Sequence, residues 1–208
     1  MSTSLYILTN AKFDLTENQE YFDNIQKKLQ AIPLVRASYY RKGKFVTEDG
    51  DWNYEIQQED DEGLDYFSIW FNGPYAYSPI LFPNICYIST IYRYSTLYQV
   101  KEHDWLDSFR KDIYNIIKAV GGTEVIFVAD NACDKLDGYL SMAFENNSYE
   151  TIKAEMLKEF GEPVTDYAKL DYSKLDYNNI TEFFFDDFKD LSKKETYEKG
   201  FKLDEKYK

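Results

Sequence analysis

The chain has 208 residues, 37 acidic against 24 basic side chains, a net charge of −13 and a single histidine. That length suits one domain, which buries roughly 70% of the surface its unfolded chain exposes and therefore needs no disulfide. The acidity argues against nucleic acid as a ligand, because neutralising phosphates takes clustered Lys and Arg. The one basic cluster, Arg36, Arg41, Lys42 and Lys44, reads as the solubilising charge of an edge strand or hairpin. No stretch approaches the ~18 apolar residues of a membrane span. The first residues carry no basic segment and only a short apolar run, Leu5 to Leu8, so the chain reads as cytoplasmic.

In chain order, residues 4–9 form a short apolar strand. Thr16, with Gln19 three residues on, reads as a capping box opening a helix. Tyr21 or Phe22, then Ile25, Leu29 and Ile32 give that helix one apolar face, and Pro33 ends it. Strand-like pieces follow at 34–41, 44–47, 52–57 and 64–71, with a longer run at 80–100. Gly43, Asp49-Gly50-Asp51, the acidic run Glu59-Asp60-Asp61-Glu62 and Asn72-Gly73-Pro74 are the turns between them. Consecutive strands on short turns predict an antiparallel meander.

Asp104 caps the clearest helix, 105–120, whose inward stripe is Trp105, Leu106, Phe109, Ile113, Ile116, Ile117 and Val120. Gly121-Gly122 stops it. The continuous apolar strand 124–129 is expected to be central in the sheet, and the strand–helix–strand order allows it a parallel neighbour. Residues 134–144 read as a short helix. Ser148 caps a better one that ends at Gly161 and Pro163. Residues 182–185 read as a last strand. The expected organisation is one α+β domain over 1–185, a mostly antiparallel sheet with helices mainly on one face. A charged C-terminal helix or tail then spans 186–208.

The 20 tyrosines and 15 phenylalanines exceed what a core requires. Tyr wants its hydroxyl in water or bonded, so many rings are expected half-exposed. They either cover the solvent side of a sheet or serve recognition. Cys86 and Cys133 lie in separate apolar segments without metal or redox spacing and read as buried free thiols.

Chemistry has few footholds. Any His-based triad must run through His103, which sits beside a helix start. One His and two scattered Cys make no recognisable zinc set. Asp130 follows an apolar strand and precedes Asp134, a placement that suits either a magnesium ligand or a turn. Asp49, Asp51 and Asn53 mimic a calcium loop, but Tyr54 stands where that loop needs Gly. No cofactor is expected. The acid run Glu59, Asp60, Asp61 and Glu62 reads as a solvated loop or as the electrostatic face for a basic protein, and the pair Asp186 and Asp187 beside Phe183, Phe184, Phe185 and Phe188 reads as a charged rim with hydrophobic anchors or as a final strand that tucks at least two of the four rings into the core.

The segment WLDSFRKDIYNIIKAVGG, then TEVIFVAD, then a helix ending EFGEP, resembles immunity proteins of bacterial polymorphic toxin systems. The resemblance spans 104–163 and carries over no individual residue. It implies a small acidic cytoplasmic α+β protein that binds and blocks a cognate toxin. The leading expectation is therefore a non-enzymatic inhibitor acting through Glu59, Asp60, Asp61, Glu62, Asp186 and Asp187. The alternatives are a metal-dependent hydrolase or transferase centred on Asp130 and Asp134, and a self-assembling accessory protein.

Overall fold

A computed structural model describes residues 4–34, 38–41, 44–47, 51–59, 65–74, 77–98, 105–129, 134–167 and 182–191. The chain is α+β, with the antiparallel sheet expected from its run of short strands. Its strands are β1 Ser4–Thr9, β2 Ser38–Arg41, β3 Lys44–Thr47, β4 Asn53–Glu59, β5 Asp65–Asn72, β6 Ser78–Leu81, β7 Cys86–Arg93, β8 Val125–Ala129 and β9 Phe184–Asp186. The helices are α1 Gln19–Gln30, α2 Trp105–Ala119, α3 Asp134–Phe144 and α4 Tyr149–Phe160. Seven strands form one sheet in the order β4-β5-β6-β7-β1-β8-β9, and β2 and β3 pair as a separate hairpin.

The first strand enters the middle of the finished sheet. β1 pairs antiparallel with β7 on one side and β8 on the other. β7 and β8 thus run the same way with β1 between them, so β8 has no parallel neighbour. It lies one strand from the edge, because β9 pairs beyond it. β4 to β7 are the meander the turns predicted.

All five residues of β8 are fully buried. A strand projects alternate side chains to opposite faces, so this burial demands cover on both. The register shows how it is met. Phe127 shares a face with Ile7, Ile88 and Phe184, and Ile126 shares the other with Leu8, Tyr87 and Phe185. On the first face Phe109 of α2 meets Phe127 and Phe22 of α1 meets Tyr54 of β4. On the second, Phe144 of α3 packs on Tyr87, and Lys153 of α4 lies 4.1 Å from the Phe185 ring centroid. The helices are therefore split two and two across the sheet, not gathered on one face. Fully buried Leu, Ile and Phe side chains each stabilise by about 1.5–3 kcal/mol, so an uncovered face would be expensive.

Two helix boundaries follow local chemistry. α1 begins later than the Thr16 capping box predicts, because Asn18 takes the cap and accepts from the Tyr21 N–H. Thr16 instead donates its backbone N–H and its hydroxyl to Asp14. α2 stops at Gly121, whose φ of +92° is a conformation a side chain would strain. The final segment also differs from expectation. Asp186 closes β9, and Phe188, 1% exposed, packs its ring on Tyr114 of α2. Residues 186–191 therefore belong to the domain, while 192–208 lie outside the described residues.

The aromatic excess goes inward. Tyr77, Tyr87, Tyr94, Tyr98, Tyr139, Tyr149 and Tyr167 are buried. Tyr6, Tyr21, Tyr54, Tyr92 and Tyr114 are partly buried against the same core. Among the described residues the exposed large hydrophobics are Leu15, Ile56 and Phe144.

Cys86 is a free cysteine, fully buried, and burial pushes its thiol well above the ordinary value. Thiolate is the reactive form, so native protein exposed to an alkylating reagent should show no adduct at Cys86 by peptide mapping until denaturant unfolds it. Labelling at the rate of an exposed thiol would contradict this packing.

Candidate functional site

The two acidic clusters expected to act together lie at opposite edges of the sheet. Glu59 is the last residue of β4, where its register partner is Asp65, the first residue of β5. Asp60, Asp61 and Glu62 lie outside the described residues, in the connection joining these two strands. Glu55, exposed on the same strand, extends the negative charge along it. Asp186 and Asp187 stand at β9, six strand spacings away, a distance of about 29 Å at ~4.8 Å per strand. One compact docking surface cannot centre on both.

Asp186 is also turned inward. It is 5% exposed and takes the Arg110 guanidinium at 2.6 Å from Nε and 3.0 Å from Nη2. Its Oδ1 accepts the Phe188 N–H at 2.8 Å, and Tyr167 donates to Oδ2 at 3.3 Å. Asp190 takes the same guanidinium at 2.7 and 3.0 Å. Arg110 is itself 7% exposed and lies over the Tyr167 ring, 5.3 Å from its centroid. A buried cation needs this kind of complete bidentate satisfaction. Burial acts to lower the Arg110 pKa, but its bonds to Asp186 and Asp190 raise it overall. The charge of Asp186 is thus neutralised inside the molecule, which removes it from the expected partner-binding rim. Asp187 is half-buried and pairs with Lys189, whose bond holds its carboxyl below the usual range. Of the four phenylalanines beside these acids, Phe183, Phe184 and Phe188 are buried. They pack the core and do not serve as exposed anchors.

This clamp fastens a three-residue strand that backbone bonding alone would hold weakly. Tyr94 adds a bond from its hydroxyl to the Glu182 carbonyl at 2.8 Å, and Tyr98 donates to the Glu182 carboxylate. Partial desolvation raises the Glu182 pKa above its ordinary 4.5. The outer edge of β9 is closed as well. Val164 donates its N–H to the Phe183 carbonyl at 2.9 Å and accepts the Phe185 N–H at 3.0 Å.

The opposite edge is built differently. Among the described residues, no strand pairs with the outer side of β4. Its start is pinned from α1: Gln26 donates to the Trp52 carbonyl at 2.7 Å, and the Trp52 N–H donates to Gln30 Oε1 at 2.8 Å. Tyr54 bonds Asp23 at 2.5 Å. Behind it Trp52, 3% exposed, packs so closely on Gly73 that a Cβ there would fall 2.4 Å from the ring. The start of the strand is therefore pinned to α1, while Glu55 and Ile56 farther along it are exposed.

The remaining candidates gain no chemistry from the described structure. His103, Asp49, Asp130 and Cys133 lie outside the described residues, and Asp134 opens α3 without a described side chain. Asp51 accepts from Gln30 at 3.2 Å. Among the described residues, no group of three His, Cys, Asp or Glu side chains is arranged to hold a metal ion, and no helix is long and apolar enough to cross a membrane. Comparison with protein-family models, curated protein sequences and solved structures yields no match.

The Arg110 clamp was absent from the sequence reading, although its signal was present. Arg110 falls within the apolar stripe Phe109, Ile113 and Ile117, and a cation there requires an acid from the facing layer.

Two measurements follow. Arg110→Met leaves Asp186 buried without its counter-ion and should lower unfolding free energy by about 3–5 kcal/mol in urea titration. Asp190→Asn, at a carboxylate with 55% side-chain exposure, should cost under about 1 kcal/mol. For Glu182, a raised native pKa means the folded state binds its proton more tightly than the unfolded chain does. Its stabilising contribution is full below pH 4.5 and is lost as pH rises through the native value. Glu182→Gln should flatten the stability–pH curve in that window.

Proposed function

We propose that this chain is a non-enzymatic, protein-binding inhibitor of the immunity class, acting in the cytoplasm on a basic toxin. The observation that carries this reading is the placement of acid on the β4–β5 edge hairpin. Glu55, Glu59 and Asp65 lie on its strands, and Asp60, Asp61 and Glu62 belong to its connection. Glu59 and Asp65 are register partners at the end of this hairpin, and acids crowded at such positions repel one another. A fold keeps such an arrangement at low cost when a cationic surface neutralises it. The net charge of −13 adds long-range attraction, which raises the encounter rate with a basic partner. The sequence likeness to immunity proteins supports the same reading. The occluding contact is electrostatic and backbone-led, since most described aromatics belong to the core.

The proposal is tested by capture from the source cell lysate at low and then moderate salt. A single basic protein retained near 1:1, toxic when expressed alone and harmless with this chain, is the expected result. Replacing Glu59, Asp60, Asp61 and Glu62 together by Lys should slow association by about tenfold or more and flatten its salt dependence. A partner whose association ignores both salt and this reversal would contradict the electrostatic mechanism.

A further inference from the structure

We propose that Asn72 is a site of spontaneous deamidation, and that opening of the turn from Gly73 to Tyr77 sets its rate in the folded protein. The chemistry does not depend on what the chain binds.

Asn72 closes β5 and forms the chain's one Asn-Gly pair with Gly73. In such a pair no side chain on the second residue obstructs attack of its nitrogen on the asparagine carboxamide. The Gly73 N–H gives its proton to water or hydroxide, and a bond forms between its nitrogen and Asn72 Cγ. The Cγ–Nδ2 bond breaks and ammonia leaves, closing a succinimide ring. Water then opens either carbonyl of the ring. One route leaves aspartate at 72. The other leaves isoaspartate, in which the chain runs through the former side-chain carbon.

The packing requires the labile pair. Gly73 lies against the ring of Trp52, where a Cβ would fall 2.4 Å from it. Trp52 is buried, and its backbone is held by Gln26 and Gln30 of α1. Nothing larger than glycine fits at 73 without moving that ring. Asn72 itself is exposed, and among the described residues no hydrogen bond holds its carboxamide. Asn10, Asn84 and Asn147 by contrast commit their carboxamide nitrogens to Thr123, Asn146 and Met142, and none of them precedes a glycine.

The same turn restrains the reaction. Gly73 donates its N–H to the Tyr77 carbonyl at 3.0 Å, and the Tyr77 N–H donates to the Pro74 carbonyl at 3.3 Å. Tyr77 is fully buried, which anchors this end of the turn in the core. Asn72 is in register with Asn53 at the end of the strand, and extended backbone does not supply the angle that ring closure needs. Attack therefore waits for a local opening that releases the Gly73 N–H, and the folded rate is the open-chain rate multiplied by the open fraction. Isoaspartate also lengthens the backbone where Gly73 has no room against Trp52, so that product loosens this end of the β4–β5 pair.

The test incubates the whole protein in mildly alkaline buffer, folded and in denaturant, with peptide mapping over time. In denaturant the peptide carrying Asn72 should gain the mass of an amide-to-acid conversion before any other asparagine peptide, and an isoaspartyl-specific methyltransferase should label it. In the folded protein the same peptide should convert more slowly, by about tenfold or more. Denaturant below the unfolding transition should leave that folded rate nearly flat, because local opening exposes little surface. Gln30→Ala, at an exposed helix position, frees Trp52 and should raise the folded rate several-fold without changing the rate in denaturant. Asn72→Ser should abolish both the mass gain and the label. The isoaspartyl product, separated from the aspartyl one, should melt lower. Equal rates folded and unfolded, no conversion of folded Asn72 on prolonged incubation, or a folded rate untouched by Gln30→Ala overturns the proposal. So does a steep rise in low denaturant, which would assign the reaction to global unfolding, and so do coinciding melts of the two products, which would leave Gly73 free to move off Trp52.

Discussion

The architecture depends on a strand that water reaches from neither side. β8 carries five consecutive apolar residues, and β1 beside it buries Leu5, Ile7, Leu8 and Thr9. A sheet whose middle is apolar on both faces has to be a central layer, so α1 and α2 cover one face and α3 and α4 the other. The chain reaches this arrangement through the α2 crossover, which carries it from β7 over β1 to β8. The N-terminal strand thus becomes a shared partner and draws the two ends of the sequence into one core. Phe109, Phe127, Tyr167 and Phe184 form a connected aromatic path on one face.

Covering both faces leaves the edges as the remaining exposed backbone, and the two are handled by different chemistry. At β9 the clamp of Arg110 with Asp186 and Asp190 supplies what three backbone pairs cannot. A buried ion pair gains little net stability over apolar packing, but it is unforgiving of misplacement. Arg110 has one acceptable location, against carboxylates that arrive only when β9 is in register. The clamp therefore fixes which residues of the last strand face α2. At β4 the bonds run from α1 to the strand's own start, which stiffens it without covering its outer side.

The periodic elements were legible in the sequence because the physics that forms them is local. The stripe of α2, the apolar run of β8 and the caps at Ser148 and Gly161 each depend on residues a few positions apart. What stayed hidden depended on distant partners. The apolar run of β8 shows burial on two faces, but only pairing shows that β1 lies between it and β7. The cap of α1 shifted from Thr16 to Asn18 because Asp14 competes for the Thr16 hydroxyl, a contest that spacing alone does not decide. Asp186 and Asp187 are neighbours in sequence with different fates, since Asp186 closes β9 against Arg110 while Asp187 follows the strand and pairs with Lys189. The acid run at 59–62 was recognisable as charge, whereas only the strand order shows that Glu59 closes a strand at the edge of the sheet.

That position changes the meaning of the net charge. Had the two acidic clusters formed one patch, attraction would have been the whole recognition device, and any basic surface would have served. With Asp186 neutralised internally by Arg110, the net charge no longer draws on both sheet edges alike, and Glu55 on β4 is exposed where Asp186 on β9 is not.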